Sequence, residues 1–306
     1  MTRVVLTGAT GMIGRAFTDA LLARGDDVVA LTRDEHRGRR ALGEQVAIHT
    51  WPDPSAAPPA AALRGADAVV NLMGEPIAQR WTAEAKRAIR DSRVIGTRSL
   101  VAGLLALSAS QRPSTLISQS ASGFYGPRDE QPLDEEAPPG SDFLADVVLA
   151  WEQEALAAAQ QARVVLTRTG VVLSPSGGAL AKMLPIFRLG LGGPVAGGRQ
   201  YVPWVHLDDV VGALLRCLDG REIRGAVNLT APNPVTNAEF TRALGRALGR
   251  PAVLPVPALA LKLLYGEMAQ TVIAGQRPIP ERLRNLGYDF RHPEVEAALR
   301  DVLDRA

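Results

Sequence analysis

The chain is poor in several residue types that mark particular classes of protein. It contains one cysteine, Cys217, among 306 residues, so no disulfide can form within the chain. A lone thiol is typical of a reducing compartment, which predicts a cytoplasmic protein. Lysine occurs only at Lys86, Lys182 and Lys262, so nearly all of the basic charge is carried by arginine.

Other features are missing as well. No apolar run approaches the length that spans a bilayer, and the amino terminus enters an apolar strand without a signal peptide, so no membrane association is expected. No basic tract interleaved with aromatic residues indicates nucleic-acid binding, and the net charge is only +2. The length suits one large domain with a small appendage. These absences leave an ordinary globular protein with a small-molecule ligand as the expectation.

A glycine-rich turn near the amino terminus is the strongest functional signal that is present. Residues 3–16 read RVVLTGATGMIGRA, which predicts a buried strand, a turn and an amphipathic helix. Gly8 permits the tight turn, Gly11 lets a pyrophosphate approach the backbone, and Gly14 lets the helix pack closely, while the helix N–H groups attract phosphate. The alternative is a glycine-rich turn without a ligand. The predicted cofactor-binding residues of this turn are Gly8, Thr10, Gly11, Met12, Ile13 and Gly14.

The end of the second predicted strand indicates which dinucleotide is bound. An NAD site usually has an acidic residue there to bind the ribose 2′-hydroxyl. Here Thr32 brings no charge, and Arg33 can bind a 2′-phosphate through two hydrogen bonds. The sequence therefore favours NADP over NAD. Asp34 lies close enough to weaken the distinction, and a solvated basic loop is the alternative. Further positive charge nearby comes from Arg37, Arg39 and Arg40.

Strands alternate with helices through the first half of the chain, which predicts an α/β fold with a doubly wound parallel sheet of the Rossmann type. Ligands in such sheets bind beyond the carboxyl ends of the strands, so the segment Thr32–Arg40 is expected to be one of the binding loops. We predict a dinucleotide-binding domain over 1–230, with a pocket wall over about 170–230, and a small, mostly helical domain over 231–306. Asp208 and Asn237 are the predicted N-caps of two later helices.

Several dispersed motifs resemble those of the extended short-chain dehydrogenase/reductases, in particular the subgroup of epimerase family proteins that is NAD-dependent epimerase/dehydratase-like. The resemblance implies a Rossmann domain, a bound dinucleotide and a small C-terminal domain of unassigned role. It covers nearly the whole chain. The motifs are the glycine turn, Asn71-Leu72-Met73-Gly74, Ser120-Ala121-Ser122-Gly123-Phe124-Tyr125-Gly126, Trp151-Glu152, Arg168-Thr169-Gly170, Trp204-Val205-His206 and Asn228-Leu229-Thr230.

The catalytic pair of short-chain dehydrogenases is missing. These enzymes usually carry a Tyr-x-x-x-Lys pair on the helix after the fifth strand, where the lysine lowers the pKa of the tyrosine. In this chain none of the four tyrosines is followed by lysine at that spacing, and the predicted helix over 142–161 contains neither residue type. The usual acid and base must therefore be replaced or absent.

The candidates for substrate or acid–base roles are Ser120, Ser122, Tyr125 and His206. The resemblance places the two serines beside the nicotinamide, whereas Tyr125 is equally well interpreted as a structural aromatic residue. His206 is a substrate contact or, as the favoured alternative, a structural histidine. Metal binding is not expected, because the other histidines are scattered along the chain. Lys182 is a further candidate, with a solvated side chain as the preferred alternative.

The loop after the fourth strand completes the predicted cofactor site. The resemblance implies that this loop, with Met73 and Gly74, lies along the cofactor. We interpret Arg80 as a phosphate or ribose ligand and Glu75 as an acceptor for a ribose hydroxyl. The alternative is a surface ion pair between these two side chains.

Two classes of function remain open. The first is an NADP-dependent oxidoreductase or epimerase-like enzyme with an unusual acid–base group and an unidentified small substrate. The second is a dinucleotide-binding sensor or partner-binding protein with little catalysis. Sugar-nucleotide epimerisation is disfavoured, because that chemistry normally uses NAD and the missing tyrosine.

Overall fold

The computed structural model describes residues 1–128 and 130–305. The strands are β1 Arg3–Thr7, β2 Asp27–Thr32, β3 Ala47–Thr50, β4 Ala68–Asn71, β5 Thr115–Ala121, β6 Pro132–Leu133, β7 Arg163–Thr169, β8 Val171–Leu173, β9 Tyr201–Val202, β10 Trp204–His206, β11 Gly225–Leu229, β12 Val235–Thr236 and β13 Arg277–Pro278. Seven of them form the central parallel sheet, in the order β11-β7-β5-β4-β1-β2-β3. The α/β prediction with a Rossmann sheet is confirmed.

The helices that connect these strands cover both faces of the sheet, and further helices follow in the C-terminal part. None of the helices in the described ranges is long and apolar enough to cross a membrane. Short 3-10 helices occur at Ser122–Tyr125 and Gly266–Ala269. The α-helices are α1 Met12–Ala23, α2 Glu35–Leu42, α3 Ala60–Leu63, α4 Ala83–Leu105, α5 Phe143–Leu156, α6 Gly178–Arg188, α7 Leu207–Asp219, α8 Asn237–Leu248, α9 Ala258–Tyr265, α10 Gln270–Ile273, α11 Glu281–Asn285 and α12 Val295–Asp304.

Alternation of side chains along β1 divides the core into two layers. Val4 and Leu6 pack in one apolar cluster, which includes side chains of α1 and α7, whereas Val5 packs in the other with residues of α4 and α5. Strands buried on both faces read as continuous apolar runs, which explains the sequence of β1. The sheet is therefore the middle of three layers. In such sheets ligands bind beyond the carboxyl ends of the strands.

A third apolar cluster joins the predicted pocket wall to the C-terminal part. It combines Leu180 of α6 and Trp204 of β10 with Phe240 of α8 and Leu299 of α12. Strand β13 also pairs with β6, which belongs to the first part of the chain. Residues beyond 230 are thus packed onto the segments that follow the sheet.

One segment expected to be a loop is helical. Helix α2 begins within Thr32–Arg40, where the Asp34 carboxylate accepts a hydrogen bond from the Arg37 backbone N–H at 2.9 Å. Gly38 faces inward, and a Cβ at this position would lie 3.0 Å from Cδ1 of Ile48. The loop prediction was wrong because the helix has few apolar residues and a glycine on its buried side, so no helical periodicity is visible.

Two helix starts also differ from the predictions. The N-cap of α7 is His206, whose Nδ1 accepts a hydrogen bond from the Asp208 N–H at 3.0 Å, so Asp208 lies inside the helix. The N-cap of α8 is Thr236, which forms a capping box with Glu239. Asn237 instead accepts a hydrogen bond from the Val195 N–H. The Thr-x-x-Glu spacing is the signal that identifies the second start.

Candidate cofactor and active site

The turn between β1 and α1 has a shape that requires glycine. Gly8 has a φ of +66°, and a Cβ there would lie 2.5 Å from the carbonyl oxygen of Leu72. A Cβ on Gly14 would overlap the carbonyl oxygen of Gly8. Gly11 has an ordinary φ of −75°, and a Cβ there would approach the same oxygen only to 3.2 Å. Gly8 and Gly14 therefore shape the turn, whereas Gly11 keeps its outer surface open.

The start of α1 offers unpaired donors to an anion. Gly11 is the N-cap and brings no side chain to the first turn, which contains no acidic residue. The first N–H groups of a helix have no partner within the helix, and the helix dipole makes this end positive. The backbone N–H groups of Met12, Ile13 and Gly14 are therefore available to a phosphate. Thr10 is half-buried beside them.

Buried hydrogen bonds join the end of β1 to the end of β4. The Thr7 hydroxyl donates to Oδ1 of Asn71 at 2.7 Å and accepts from the Leu72 N–H at 3.1 Å. Nδ2 of Asn71 in turn donates to Thr97 and Ser118. These bonds fix the spacing between the glycine turn and the next loop. Our sequence reasoning did not assign a role to Thr7 and Asn71, although polar residues at the ends of buried strands are a usable signal.

At the end of β2, the carboxylate of Asp34 is hydrogen-bonded within the described part of the protein, whereas the guanidinium of Arg33 is not. The Asp34 carboxylate caps α2, and its hydrogen bond from the Arg37 N–H lowers the pKa of Asp34. Thr32 donates its hydroxyl hydrogen to the Asp34 carbonyl oxygen at 3.0 Å. Arg33 is exposed and forms no ion pair within the described ranges. The carboxylate that could have bound a ribose 2′-hydroxyl thus has another role, and a free guanidinium remains.

The other arginines of this region differ in their pairing. Arg39 binds Glu35 at 3.4 Å and Glu44 at 3.2 Å, so its charge is compensated within the fold. Arg37 and Arg40 are exposed on α2 and have no such pair among the described residues. The positive potential expected beside the site therefore comes from part of the arginine cluster.

The loop after β4 is supported from below by a buried arginine. Nη1 of Arg93 donates to the Glu75 carbonyl oxygen at 3.0 Å, and a Cβ on Gly74 would lie 2.9 Å from Nη2 of Arg93. Burial lowers the pKa of Arg93 to about 10, opposed by the charge of Glu75. Met73 donates its N–H to the Thr7 hydroxyl oxygen at 3.3 Å. Met73, Gly74 and Glu75 thus lie directly beside the glycine turn.

The outer part of the same loop is held by later segments of the chain. Nη1 of Arg80 donates to the Leu263 carbonyl oxygen of α9 at 3.2 Å, and Lys182 of α6 donates to the Ala78 carbonyl oxygen. No ion pair between Glu75 and Arg80 is formed in the structure as described. Lys182 is exposed but not merely solvated. These contacts hold the outer part of the loop against α6 and α9.

Gly177 lies over the start of α1. A Cβ at Gly177 would lie 3.3 Å from Sδ of Met12. The segment after β8 therefore lies against the start of α1, next to the predicted pyrophosphate site.

The end of β5 contains a closed network of buried polar side chains. The Ser120 hydroxyl donates to Oε1 of Glu152 at 2.5 Å, and Arg168 binds both carboxylate oxygens of Glu152 at 2.9 and 3.0 Å. Ser120 is fully buried. As placed, its hydroxyl positions Glu152 and does not face a substrate. Arg168 and Glu152 were noticed in the sequence only as parts of the family motifs.

Tyr125 belongs to the same network. Its hydroxyl donates to Oδ1 of Asn228 at 2.7 Å and accepts from Nη1 of Arg168 at 3.1 Å. The ring is fully buried, and burial raises the pKa of Tyr125 to about 12 despite the opposing charge of Arg168. This placement agrees with the alternative of a structural aromatic residue, since both hydrogen bonds of the Tyr125 hydroxyl are made within the protein.

Ser122 differs from Ser120 in its surroundings. It begins the 3-10 helix after β5, and its Oγ accepts a hydrogen bond from Nε2 of Gln276 at 3.0 Å. On the opposite side, a Cβ on Gly123 would lie 3.5 Å from Leu144 and 4.0 Å from Val148. Leu144 and Val148 have the i, i+4 spacing of a Tyr-x-x-x-Lys pair, yet both are apolar. Nothing in the sequence had indicated Gln276.

His206 lies in an ionic cluster with the C-terminal part. Its ring stacks on that of His292 at 3.7 Å between centroids, and its Nε2 lies 3.1 Å from Oδ2 of Asp301. Burial, aided by the charge of His292, lowers the pKa of His206 to about 4, so the ring is neutral at pH 7. The assumption that the histidines are scattered was wrong, because the fold brings His292 onto His206.

The same cluster contains side chains of the types that bind metal ions. His206, Asp208, His292 and Asp301 offer ligand atoms that all lie within 4.8 Å of one another. However, the Arg305 guanidinium binds Asp208 at 3.0 Å and Asp301 at 2.9 Å, which supplies the positive charge that the two carboxylates require. The cluster is explained as an electrostatic joint between α7 and α12, and the expectation of no metal stays a prediction.

Comparisons with known proteins agree with this geometry. A model of the NAD dependent epimerase/dehydratase family matches residues 4–229, and the domain of unknown function DUF1731 matches residues 256–302. The epimerase family protein SDR39U1 homolog, chloroplastic, of Arabidopsis thaliana is 40% identical over 98% of this chain and 86% of its own length. Epimerase family protein MT2273 of Mycobacterium tuberculosis is 42% identical over 97% of this chain and 96% of its own length.

A solved structure is also similar over its full length. The crystal structure of human epimerase family protein SDR39U1 (isoform 2) with NADPH matches with a TM-score of 0.89 and 34% identity, and each chain is covered completely. The family match and these relatives confirm the resemblance inferred from the motifs. The chain belongs to the NAD-dependent epimerase/dehydratase family, within the epimerase family proteins that carry a DUF1731 domain.

Proposed function

We propose that the chain is an NADP(H)-dependent oxidoreductase that acts on a small carbonyl compound or the corresponding alcohol. The observation that carries the proposal is the end of β2, where Arg33 is unpaired and Asp34 is used as a helix cap. NADPH in the structure of the human relative supports the same choice of cofactor. The glycine turn and the first N–H groups of α1 would bind the pyrophosphate.

The strand order gives the dinucleotide its direction across the sheet. The order reverses between β1 and β4, and dinucleotides bind across the crevice at such a point. With the 2′-phosphate near Arg33 beyond β2, the nicotinamide half extends to the other side, beyond β4 and β5. When bound, NADPH supplies a hydride. We infer that the hydroxyl of Ser122, the residue that follows β5, contacts a substrate oxygen there.

Ser122 can orient and polarise a carbonyl group, but it is a poor proton donor. A general acid or base typically contributes about 10²–10⁴-fold to a rate, so its absence slows a reaction without preventing it. Positioning of the substrate against the cofactor still contributes. We therefore expect a slow enzyme, with water as the proton source.

The alternative function is a dinucleotide-binding sensor or partner-binding protein. It is favoured by the engagement of Ser120 and Tyr125 within the buried network and by the apolar Leu144 and Val148 on α5. Epimerisation of a sugar nucleotide is less well supported, because Arg33 favours NADP and no tyrosine on α5 can move a proton. A cytoplasmic location stays a prediction from the single cysteine, and one relative is described as chloroplastic.

The choice of cofactor is tested by Arg33→Ala. Loss of a charge-assisted hydrogen bond to the 2′-phosphate should weaken NADPH binding by about 10–100-fold and leave NADH binding nearly unchanged. Arg39→Ala is the matched control, since Arg39 is paired with Glu35 and Glu44. Titration of each variant with both cofactors, followed by nucleotide fluorescence, gives the result. Tighter binding of NADH than of NADPH by the unmodified protein would refute the proposal.

Single-turnover oxidation separates the enzyme from the sensor. Protein saturated with NADPH is mixed with a panel of ketones, aldehydes and enones, and absorbance of the nicotinamide is followed. Oxidation by any member that depends on the protein supports the oxidoreductase. Tight NADPH binding with no oxidation across the panel supports the sensor instead.

A further inference from the structure

Gln276 brings an unpaired acceptor from the C-terminal part of the chain to the end of β5. Its Nε2 donates to Oγ of Ser122 at 3.0 Å. Its Oε1 is buried and has no hydrogen-bond partner among the described residues. A buried amide oxygen normally finds a donor, because leaving it without one costs free energy. A buried acceptor for which the described part of the protein supplies no donor is suited to a donor on a ligand.

The backbone around Gln276 is held firmly on two sides. The Arg128 N–H donates to the Gly275 carbonyl oxygen at 3.0 Å, and β13 continues from Gln276 into parallel pairing with β6. A Cβ on Gly275 would lie 2.6 Å from the backbone nitrogen of Tyr201, so only glycine permits this approach. The amide of Gln276 is therefore placed by the backbone and not by a free loop.

Ser122 has one hydrogen-bonding group left over. Its oxygen accepts from Gln276, and its hydroxyl hydrogen has no acceptor within the described ranges. Donation to an oxygen makes the hydroxyl a stronger donor, since chains of hydrogen bonds polarise one another. Ser122 thus presents a donor and Gln276 presents an acceptor, side by side at the carboxyl end of β5.

We propose that Ser122 and Gln276 form a two-point site for an α-hydroxyketone or α-hydroxyaldehyde. Ser122 donates to the carbonyl oxygen, and Oε1 of Gln276 accepts from the hydroxyl on the neighbouring carbon. A carbonyl acceptor and a hydroxyl donor on adjacent carbons match this donor–acceptor pair. The inference rests on the proposed function, because it places the nicotinamide half of NADPH beyond β4 and β5.

The reaction balances without an ionised side chain. The carbonyl carbon takes the hydride of NADPH, the C=O π bond breaks, and the oxygen takes a proton from water. The products are a vicinal diol, NADP⁺ and a hydroxide ion, which is released to the solvent. Ser122 keeps its own proton throughout, and Gln276 selects the substrate through its hydroxyl group.

The test compares two probes that differ by one hydrogen-bond donor. Hydroxyacetone carries the hydroxyl, whereas methoxyacetone carries a methyl ether at the same carbon. Binding of each to the NADP⁺ complex is measured by saturation-transfer NMR, which needs no turnover. The unmodified protein should bind hydroxyacetone about tenfold more tightly, the effect of one neutral hydrogen bond in a buried site.

Variants locate the discrimination. Gln276→Met keeps the length of the side chain without its amide, and the ratio of the two dissociation constants should fall to about one. Gln270→Met, at an exposed position of α10, is the matched control and should keep the ratio of the unmodified protein. Ser122→Ala should weaken both probes together, since both carry the carbonyl oxygen.

The outcomes that overturn the site are distinct from failure of the proposed function. NADPH affinity is measured first, and its absence would refute the function itself. With NADPH binding intact, equal affinity for the two probes, no binding of either, or a ratio unchanged by Gln276→Met overturns the site. Weaker NADPH binding in Gln276→Met with an unchanged ratio would place the amide on the nicotinamide carboxamide, which also overturns it.

Discussion

The two ends of the predicted cofactor site differ in whether their polar groups are hydrogen-bonded within the protein. Beyond β1 and β2, the first N–H groups of α1 and the Arg33 guanidinium are left without partners in the described structure. At the end of β5, Ser120, Tyr125 and Arg168 are tied into a network around Glu152 and Asn228. The polar groups of the first region are available to a ligand, whereas those of the second region mainly stabilise the fold.

The difference separates residues that stabilise the fold from residues that meet a ligand. Motif positions alone do not make this distinction, because both regions carry family motifs. The hydrogen-bond partners of each group do make it, since a buried group that already has a partner within the protein is not free to bind a ligand. By that criterion Ser120 and Tyr125 stabilise the fold, whereas Gln276 keeps an acceptor without a partner among the described residues, beside Ser122.

The largest expected effect, on cofactor binding and stability taken together, comes from filling the turn. In Gly14→Ala the new methyl group would overlap the Gly8 carbonyl oxygen, so the turn must shift. We expect NADPH affinity to fall by more than about 100-fold and the free energy of unfolding to fall by about 3 kcal/mol. Calorimetric titration and urea unfolding measure the two quantities.

Gly11→Ala is the matched comparison for this turn. Its Cβ meets only an approach of 3.2 Å, so the fold should remain stable while the methyl group obstructs the pyrophosphate. Unchanged NADPH affinity in both variants would show that the turn is not the cofactor site.

Next in size is removal of a charge from the supporting network. Glu152→Gln leaves the buried Arg168 guanidinium without its carboxylate, and loss of one partner of a buried pair typically costs about 3–5 kcal/mol of unfolding free energy. Glu154→Gln, two residues away on α5, removes the exposed pair with Arg98 and should cost at most about 1 kcal/mol. Urea unfolding of both variants checks the contrast, and equal losses would contradict it.

The smallest effect concerns the acid dependence of stability. The pKa of His206 is about 4 in the folded chain, below the usual 6.5, because burial and His292 disfavour its charged form. The unfolded chain takes up this proton first, so the stabilisation is complete above pH 6.5 and is lost as the pH falls towards 4.

His206→Asn removes the titrating ring and keeps a good N-cap for α7. Between pH 7 and pH 5, its free energy of unfolding should fall by about 2 kcal/mol less than that of the unmodified protein. Urea unfolding at the two pH values measures the difference. Parallel losses in the two proteins would show that His206 does not titrate on unfolding.

Local features of the sequence were sufficient to predict the glycine turn between β1 and α1. Contacts within a few residues or with the adjacent loop require glycine at positions 8 and 14, so the spacing of these glycines is enough to indicate the turn. The role of Asp34 depends on helix α2, which has no recognisable pattern in the sequence. The pairing of Arg39 depends on Glu35 and Glu44. The sequence favoured NADP through Arg33, and only the structure shows that the Asp34 carboxylate caps α2.

The second region depends on contacts across the chain. Ser120 and Ser122 lie two residues apart, yet one donates to Glu152 and the other accepts from Gln276, which is 154 positions away. His206 and His292 meet only because α7 and the segment before α12 pack together. No local pattern distinguishes these cases, because the partners are brought together by tertiary packing.

The sequence by itself determined the class of fold, the dinucleotide turn and the absence of a Tyr-x-x-x-Lys pair, since periodicity, glycine spacing and residue identity are local properties. The tertiary structure alone decided which polar groups are hydrogen-bonded within the fold and which have no partner among the described residues. That outcome follows from packing, because a hydrogen bond needs two groups in contact and most of the partners here are distant in the chain.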